Sequence, residues 1–217
     1  HIHDDFHHIK FEKIKEFIVK NDKYGKPNKF SYNYDDNVIY CSPTSLRYVY
    51  HALTILEHYK NSSCENIVEV GCGYGGLCLA INYFSKLLGI NVNNYHLIDL
   101  PEPINLITQY TQAHDITMNL HYHDASTFGS NVNNDKLFFI SNYCYTEIKE
   151  DFNRSYSEIL LPKVNHGFIT WQCGGNKGAY PVQNASTITG KTIIRTIDEK
   201  PQTDQGVGIF KNYFVYF

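Results

Sequence analysis

The chain has 217 residues, of which 42 % are hydrophobic and 19 % charged, with a formal net charge of -3. That length supports one sizeable core and is too short for two full enzyme domains. The balance lacks the basic excess of a tight nucleic-acid binder, and no apolar run reaches the roughly 18–20 residues of a membrane span.

The opening residues 1–8 are polar and His-rich. They have none of the charged, apolar and small-residue sections of a secretory signal, and read as a disordered stub. The chain does not begin with Met, which reads either as a trimmed start or as a piece of a longer, multi-domain chain. None of the six cysteines (Cys41, Cys64, Cys72, Cys78, Cys144 and Cys173) forms a C-x-x-C pair. Neither a zinc framework nor a redox motif is suggested, and a reducing, cytoplasmic compartment is expected.

Along the chain, Ile9, Phe11, Ile14, Phe17 and Ile18 recur at helical spacing, which predicts an amphipathic helix over residues 9–20. Residues 21–41 are rich in Asn, Asp, Lys and Tyr and read as a loop. Ser42-Pro43-Thr44 is a helix start, and the helix it opens fades near Lys60. From Asn66 short apolar runs alternate with helical patterns, the rhythm of a parallel α/β sheet. Strands are predicted at 67–70, 95–98, 119–122, 136–141 and 167–172, with helices at about 75–88, 103–113 and 146–160. Residues 191–197 and 210–217 are β-rich, flank a polar turn at 201–208, and are expected to pair antiparallel. The domain reading is a helical lid over residues 1–60 and a Rossmann-like unit over 61–217. That unit is a mostly parallel sheet with an antiparallel C-terminal strand and helices on both faces.

The central signal is Glu69-Val70-Gly71-Cys72-Gly73-Tyr74-Gly75-Gly76, where a buried strand turns through glycines into an apolar helix. Such a turn lets backbone come close to a ligand, and the free N–H groups of the helix start favour an anionic group. Gly71, Gly73 and Gly76 satisfy G-x-G-x-x-G, the dinucleotide pattern; Glu69, Gly71, Gly73 and Gly75 also satisfy E-x-G-x-G-x-G. The next strand ends in Asp99, at the interval where a βαβ unit places a carboxylate on ribose hydroxyls. An adenosine cofactor of either kind would use it.

The E-x-G-x-G-x-G stretch resembles motif I of class I methyltransferases. Three phrases together are similar to a sugar O-methyltransferase family: the glycine loop, Ile98-Asp99-Leu100-Pro101-Glu102, and Ser141-Asn142-Tyr143-Cys144-Tyr145-Thr146-Glu147-Ile148. The resemblance covers residues 40–175. Its Tyr-, Asn- and Lys-rich composition also resembles methyltransferase domains of glycan-building proteins of large DNA viruses. It implies S-adenosylmethionine as cofactor and S-adenosylhomocysteine as product. It places Glu69, Gly71, Cys72, Gly73, Tyr74 and Gly75 along the methionine and ribose portions, Asp99 and Leu100 at the ribose, and Asp124 and Ala125 at the adenine. Ser141 and Asn142 fall at the methionine end.

In an open α/β sheet ligands bind outside the carboxyl ends of the strands. Residues 141–147 and Trp171, Gln172 and the Cys173-Gly174-Gly175-Asn176 loop lie there; His166 lies at the other end. Glu147 is a candidate general base, or equally a first-turn Glu stabilising a helix dipole. Asp151 follows one turn on. Tyr143 and Tyr145 either line an acceptor pocket or pack in the core, and Trp171, the only tryptophan, either stacks on a sugar or is buried. Tyr40, Arg47 and His51 belong to the segment that helps shape the acceptor site, with Arg47 open to a solvated reading. No His/Asp/Glu cluster at the strand ends demands a metal, so metal-independent chemistry is expected. The expected activity is O-methylation of a sugar hydroxyl in glycan biosynthesis, on a small-molecule or glycan acceptor and not nucleic acid. An NAD-dependent reductase and a non-catalytic Rossmann-like module stand as alternatives.

Overall fold

The computed structural model describes residues 1–173, 180–202 and 211–217. Its N-terminal part contains helices α1 (Ile2–Asp5) and α2 (Phe11–Asn21), the hairpin β1 (Phe30–Tyr34) and β2 (Asn37–Cys41), and helix α3 (Pro43–Lys60). Alternating strands and helices follow: β3 (Asn66–Val70), α4 (Gly76–Leu88), β4 (Asn94–Asp99), α5 (Pro101–Gln112), β5 (Asn119–Asp124), β6 (Leu137–Asn142), α6 (Glu150–Ile159) and β7 (Val164–Trp171). A short helix α7 (Ala185–Thr189) precedes β8 (Arg195–Asp198) and β9 (Tyr213–Tyr216).

The seven-stranded sheet has the order β5-β4-β3-β6-β7-β9-β8. The pairs from β5 to β7 are parallel, and β9 is antiparallel to both β7 and β8. Chain order reverses at β3, so the switch point where such sheets bind ligands lies between the carboxyl ends of β3 and β6. Every residue of β3 is buried, as a strand covered on both faces requires. One core cluster unites residues of α2, α3, α4 and α5 against one face; a second unites Tyr156 of α6 and Leu160 just after it with the other. The sheet is thus Rossmann-like with helices on both faces.

Local chemistry explains the boundaries. Ser42 Oγ accepts from Thr44 N at 3.2 Å and Pro43 stands in the first turn of α3, where a missing N–H costs nothing. Gly89 ends α4 at φ 66°, a left-handed position that glycine occupies without a Cβ clash.

Four sequence expectations need correction. Residues 21–41 are not all loop: Phe30 to Cys41 form a hairpin whose reversal places Asp35 at φ 50°, a conformation Asp tolerates. The N-terminal stub is ordered, since α1 forms and Phe6 and Ile9 are 3 % and 5 % exposed. Helix α6 starts at Glu150, not 146, because Lys149 is extended at φ -61°, ψ 149°. Strand β8 begins at Arg195, not 191: residues 191–194 leave the Gly190 cap of α7 as an irregular link. Residues 174–176 of the predicted loop, 203–208 of the polar turn and Phe210 lie outside the described residues. None of the helices formed by the described residues is long and apolar enough to cross a membrane.

Candidate active site

The glycine turn joins β3 to α4 at the carboxyl edge of the sheet. Gly71, Gly73 and Gly75 all have positive φ, at 79°, 58° and 92°. The requirement is strictest at Gly71, where an added Cβ would meet Cys144 Cβ at 2.3 Å. Gly73 is open, with Tyr48 Oη at 3.9 Å as the nearest atom to such a Cβ. Backbone at Gly73 is therefore free to be approached, whereas at Gly71 the space is filled by the protein itself.

Asp99 ends β4 and fixes this turn. Its Oδ2 accepts from Cys72 N at 2.7 Å, and its Oδ1 accepts from Leu100 N at 2.8 Å. Each oxygen retains a further lone pair, and the side chain is half-buried. Leu100 is 59 % exposed beside it. Asp124 ends β5 directly opposite Asp99 in the ladder. Asp124 Oδ1 accepts from Ser126 N at 2.8 Å and caps the short turn that begins at Ala125. Hydrogen bonding from Ser126, first its hydroxyl and then its N–H, holds the Asp124 carboxyl below its ordinary value. Two strand-end carboxylates thus stand in line beside the glycine turn.

Glu69, two residues before Gly71, is 2 % exposed and accepts from Tyr95 Oη at 2.8 Å. Burial pushes its carboxyl up to about 8. Burial also raises the thiols of Cys72 and Cys144, the latter to about 12, so both are neutral and neither is an activated nucleophile. Tyr74 leaves the turn towards α2, where its hydroxyl accepts from Asn21 Nδ2 at 3.0 Å. The N-terminal helices are thereby tied to the glycine turn.

At the end of β6 the residues separate by role. Ser141 is fully buried; its hydroxyl donates to Val70 O at 2.8 Å and accepts from Tyr145 N at 3.1 Å, bonding β6 to β3. Asn142 Oδ1 accepts from Thr170 Oγ1 at 2.6 Å, while its Nδ2 is buried without a partner among the described residues. Tyr145 and Trp171 are both 0 % exposed. Tyr145 Oη meets Ser157 Oγ at 2.8 Å, and Trp171 Nε1 donates to Tyr180 O at 2.8 Å. Both are core aromatics with satisfied polar tips. Glu147 sits not in a helix but in an isolated turn, its N–H donating to Cys144 O at 2.8 Å, and its side chain is exposed. Asp151 is exposed in the first turn of α6.

Tyr143 is different. It has φ 56°, rare outside glycine, and its hydroxyl donates to Glu199 Oε1. The Arg47 guanidinium lies 5.2 Å over its ring, and His51 stacks against it with ring centroids 5.9 Å apart. His51 is 1 % exposed with both ring nitrogens unpartnered among the described residues, and burial beside Arg47 lowers it to about 3, so it is neutral. Arg47 also lines a groove of about 550 Å³ between α1, the hairpin and α3, with Tyr32, Tyr34, Asp35, Leu46 and Tyr50 among its walls. That volume suits a small molecule. The Tyr34 hydroxyl is buried and has no partner among the described residues. Tyr40 is 67 % exposed on β2 and does not line this groove. His166 lies near the start of β7, away from the carboxyl edge.

Sequence reasoning missed Tyr48, Glu199 and the groove tyrosines. Tyr32 and Tyr34 carried a signal, the alternation of tyrosines through residues 30–34. Glu199 carried none, since its partner Tyr143 is 56 residues away. Among the described residues no group of three or more His, Cys, Asp or Glu is placed to hold a metal ion.

The sequence matches no protein-family model and no curated protein. Solved structures do match. Magnesium protoporphyrin IX methyltransferase from Synechocystis, a structure with bound S-adenosylmethionine, aligns with TM-score 0.55 at 10 % identity over 80 % of each chain. A Nostoc punctiforme protein assigned as an O-methyltransferase aligns with TM-score 0.58 at 8 % identity over 80 % of this chain and 57 % of its own. Mitomycin 7-O-methyltransferase aligns with TM-score 0.54 at 11 % identity over 79 % of this chain and 54 % of its own. At these identities the likeness concerns architecture: the chain has the Rossmann-like fold that these methyltransferases share.

Proposed function

We propose that this chain is an S-adenosylmethionine-dependent O-methyltransferase acting on a hydroxyl of a small sugar-like acceptor in glycan building. The observation that carries the reading is the Asp99 carboxylate, bonded to Cys72 N at 2.7 Å and level with Asp124 on the neighbouring strand. A pinned glycine turn beside two strand-end acids suits an adenosine cofactor. The open approach at Gly73 and the unpartnered buried Asn142 Nδ2 fit its amino-acid end.

In this reading Asp99 accepts from the ribose hydroxyls, Asp124 and the Ala125 N–H meet the adenine, and Asn142 Nδ2 donates to the carboxylate. Glu69 lies beneath the methionine end. The cofactor supplies an electrophilic methyl on a sulfonium; the protein supplies orientation and exclusion of water. The groove of about 550 Å³ receives the acceptor, with aromatic faces for sugar C–H groups and Asp35 and Arg47 for its hydroxyls. Its Arg47 wall also lies over the ring of Tyr143, at the end of β6.

Incubation with isotope-labelled S-adenosylmethionine and a panel of methyl glycosides tests this. Label transferred to a glycoside hydroxyl, and weakened in KM by Tyr34→Phe, supports the acceptor assignment. Transfer to phenolic compounds alone would overturn the sugar reading while keeping methyl transfer.

A further inference from the structure

The described carboxylates at the sheet's ligand-binding edge differ in their surroundings. Glu147 and Asp151 are exposed, and bulk water competes for their lone pairs. Glu199 is 2 % exposed. It follows β8, which runs parallel to β7 because β9 is antiparallel to both, so Glu199 emerges at the same edge as Asn142 and Trp171. The register confirms the level, since Asp198 and Trp171 both pair with Tyr213.

Among the described residues, two side chains hold Glu199. Asn212 Nδ2 donates to its Oε2 at 3.0 Å, and the Tyr143 hydroxyl donates to its Oε1. Tyr143 directly follows Asn142, whose amide lies at the cofactor end of the site. A left-handed backbone at a tyrosine costs energy that a fold retains where the side chain's position matters. The positive Arg47 guanidinium 5.2 Å over the ring favours any negative charge that develops on the phenol oxygen. Neutral His51 covers one side of the same ring without adding charge. The same Arg47 lines the acceptor groove.

We propose that Tyr143 and Glu199 form the proton relay for the acceptor, with Tyr143 the catalytic residue touching the hydroxyl and Glu199 its positioning residue. The inference rests on the methyl-transfer reading above. The acceptor oxygen uses a lone pair to form a C–O bond with the methyl group of a sulfonium donor. The C–S bond breaks and its electron pair stays on sulfur. The acceptor's proton moves to Tyr143 Oη as the tyrosine's own proton passes to Glu199 Oε1. The products are a methyl ether, a neutral thioether and a protonated Glu199, which returns its proton to water after turnover. One positive and one negative charge are neutralised together, so the step favours a buried site.

The test compares two probes: the methyl glycoside turned over fastest by the unchanged protein, and 4-nitrophenol above its own pKa, which has no proton to remove. In Glu199→Gln and Tyr143→Phe, kcat on the glycoside falls by about 100-fold or more. KM changes little, and the 4-nitrophenol rate is retained. Glu199→Asp recovers part of the glycoside rate. Equal loss on both probes, or no loss on the glycoside, overturns the relay. Affinity for S-adenosylhomocysteine and the urea midpoint check folding. Should Glu199→Gln fail to fold, Tyr143→Phe, which keeps the ring against Arg47 and His51, carries the test alone. If the unchanged protein binds S-adenosylhomocysteine yet methylates neither probe, the hydroxyl-acceptor reading itself fails and takes the relay with it. Full glycoside turnover by the variants removes the relay only.

Discussion

Gly71→Ala imposes two separable costs on one position. The first is conformational: φ is 79°, and a residue with a Cβ loses roughly 1–2 kcal/mol in the left-handed region. The second is steric: the new methyl would lie 2.3 Å from Cys144 Cβ and 2.4 Å from its Sγ, well inside contact distance. Cys144 Cβ moves only with its backbone, so relief requires backbone movement, and overpacking of that kind costs about 1–3 kcal/mol. Together Gly71→Ala should destabilise the fold by about 2–5 kcal/mol. Urea denaturation followed by the fluorescence of Trp171 measures it, with the m-value unchanged. In a Cys144→Gly background the steric part disappears and only the conformational part remains. Gly73→Ala serves as control: its φ is 58° and its nearest neighbour is 3.9 Å away, so it incurs only the backbone cost. A loss below about 1 kcal/mol for Gly71→Ala, or the same loss in both backgrounds, would refute this account of how the turn is built.

Two further outcomes follow from buried groups. Glu69 has its carboxyl raised from an ordinary 4.5 to about 8 by burial, so across that window the folded chain keeps a proton the unfolded chain has lost. Its contribution to stability is full below about pH 4.5 and declines as pH rises to about 8; Glu69→Gln abolishes that decline and gains up to a few kcal/mol relative to the unchanged protein above the window. Urea midpoints at several pH values read this, and parallel pH profiles of the two proteins would contradict it. Trp171, at 0 % exposure with its indole N–H bonded to Tyr180 O, should emit at short wavelength, resist iodide quenching and ignore added glycoside. Strong quenching or an acceptor-dependent shift would mean that it faces a ligand.

The parts of this fold legible in the sequence are those set by local chemistry. Pro43 behind a capping Ser42 marked α3, and the apolar run into three glycines marked β3 and the start of α4. Asp99 was legible because a strand end follows a glycine turn at a fixed interval. The hairpin was masked because apolar residues stand on its exposed side too: Phe30, Val38 and Tyr40 are exposed while Ile39 and Cys41 are buried, so its alternation carries little hydrophobic contrast. The ordering of the first residues depends on contacts far along the chain, such as Tyr50 Oη donating to Asp5 Oδ2 at 2.7 Å. Glu147 stood out because it follows a strand end in a recognisable phrase, yet it is exposed; Glu199 has no phrase around it and is placed only when β8 enters the sheet beside β9. Tyr143 and Tyr145 are two residues apart and equally suggestive in sequence, but only the tertiary structure separates a core ring from one held between Arg47, His51 and Glu199.

The central claim is that the glycine turn and Asp99 hold an S-adenosyl cofactor. Calorimetric titration of the purified chain with S-adenosylhomocysteine, and with NADH in parallel, tests it most directly. The account predicts binding of S-adenosylhomocysteine and not NADH. It also predicts a loss of about 1.5–3 kcal/mol of that affinity or more in Asp99→Ala, the worth of a hydrogen bond to a charged group. Binding of NADH alone, or S-adenosylhomocysteine binding indifferent to Asp99, would contradict it.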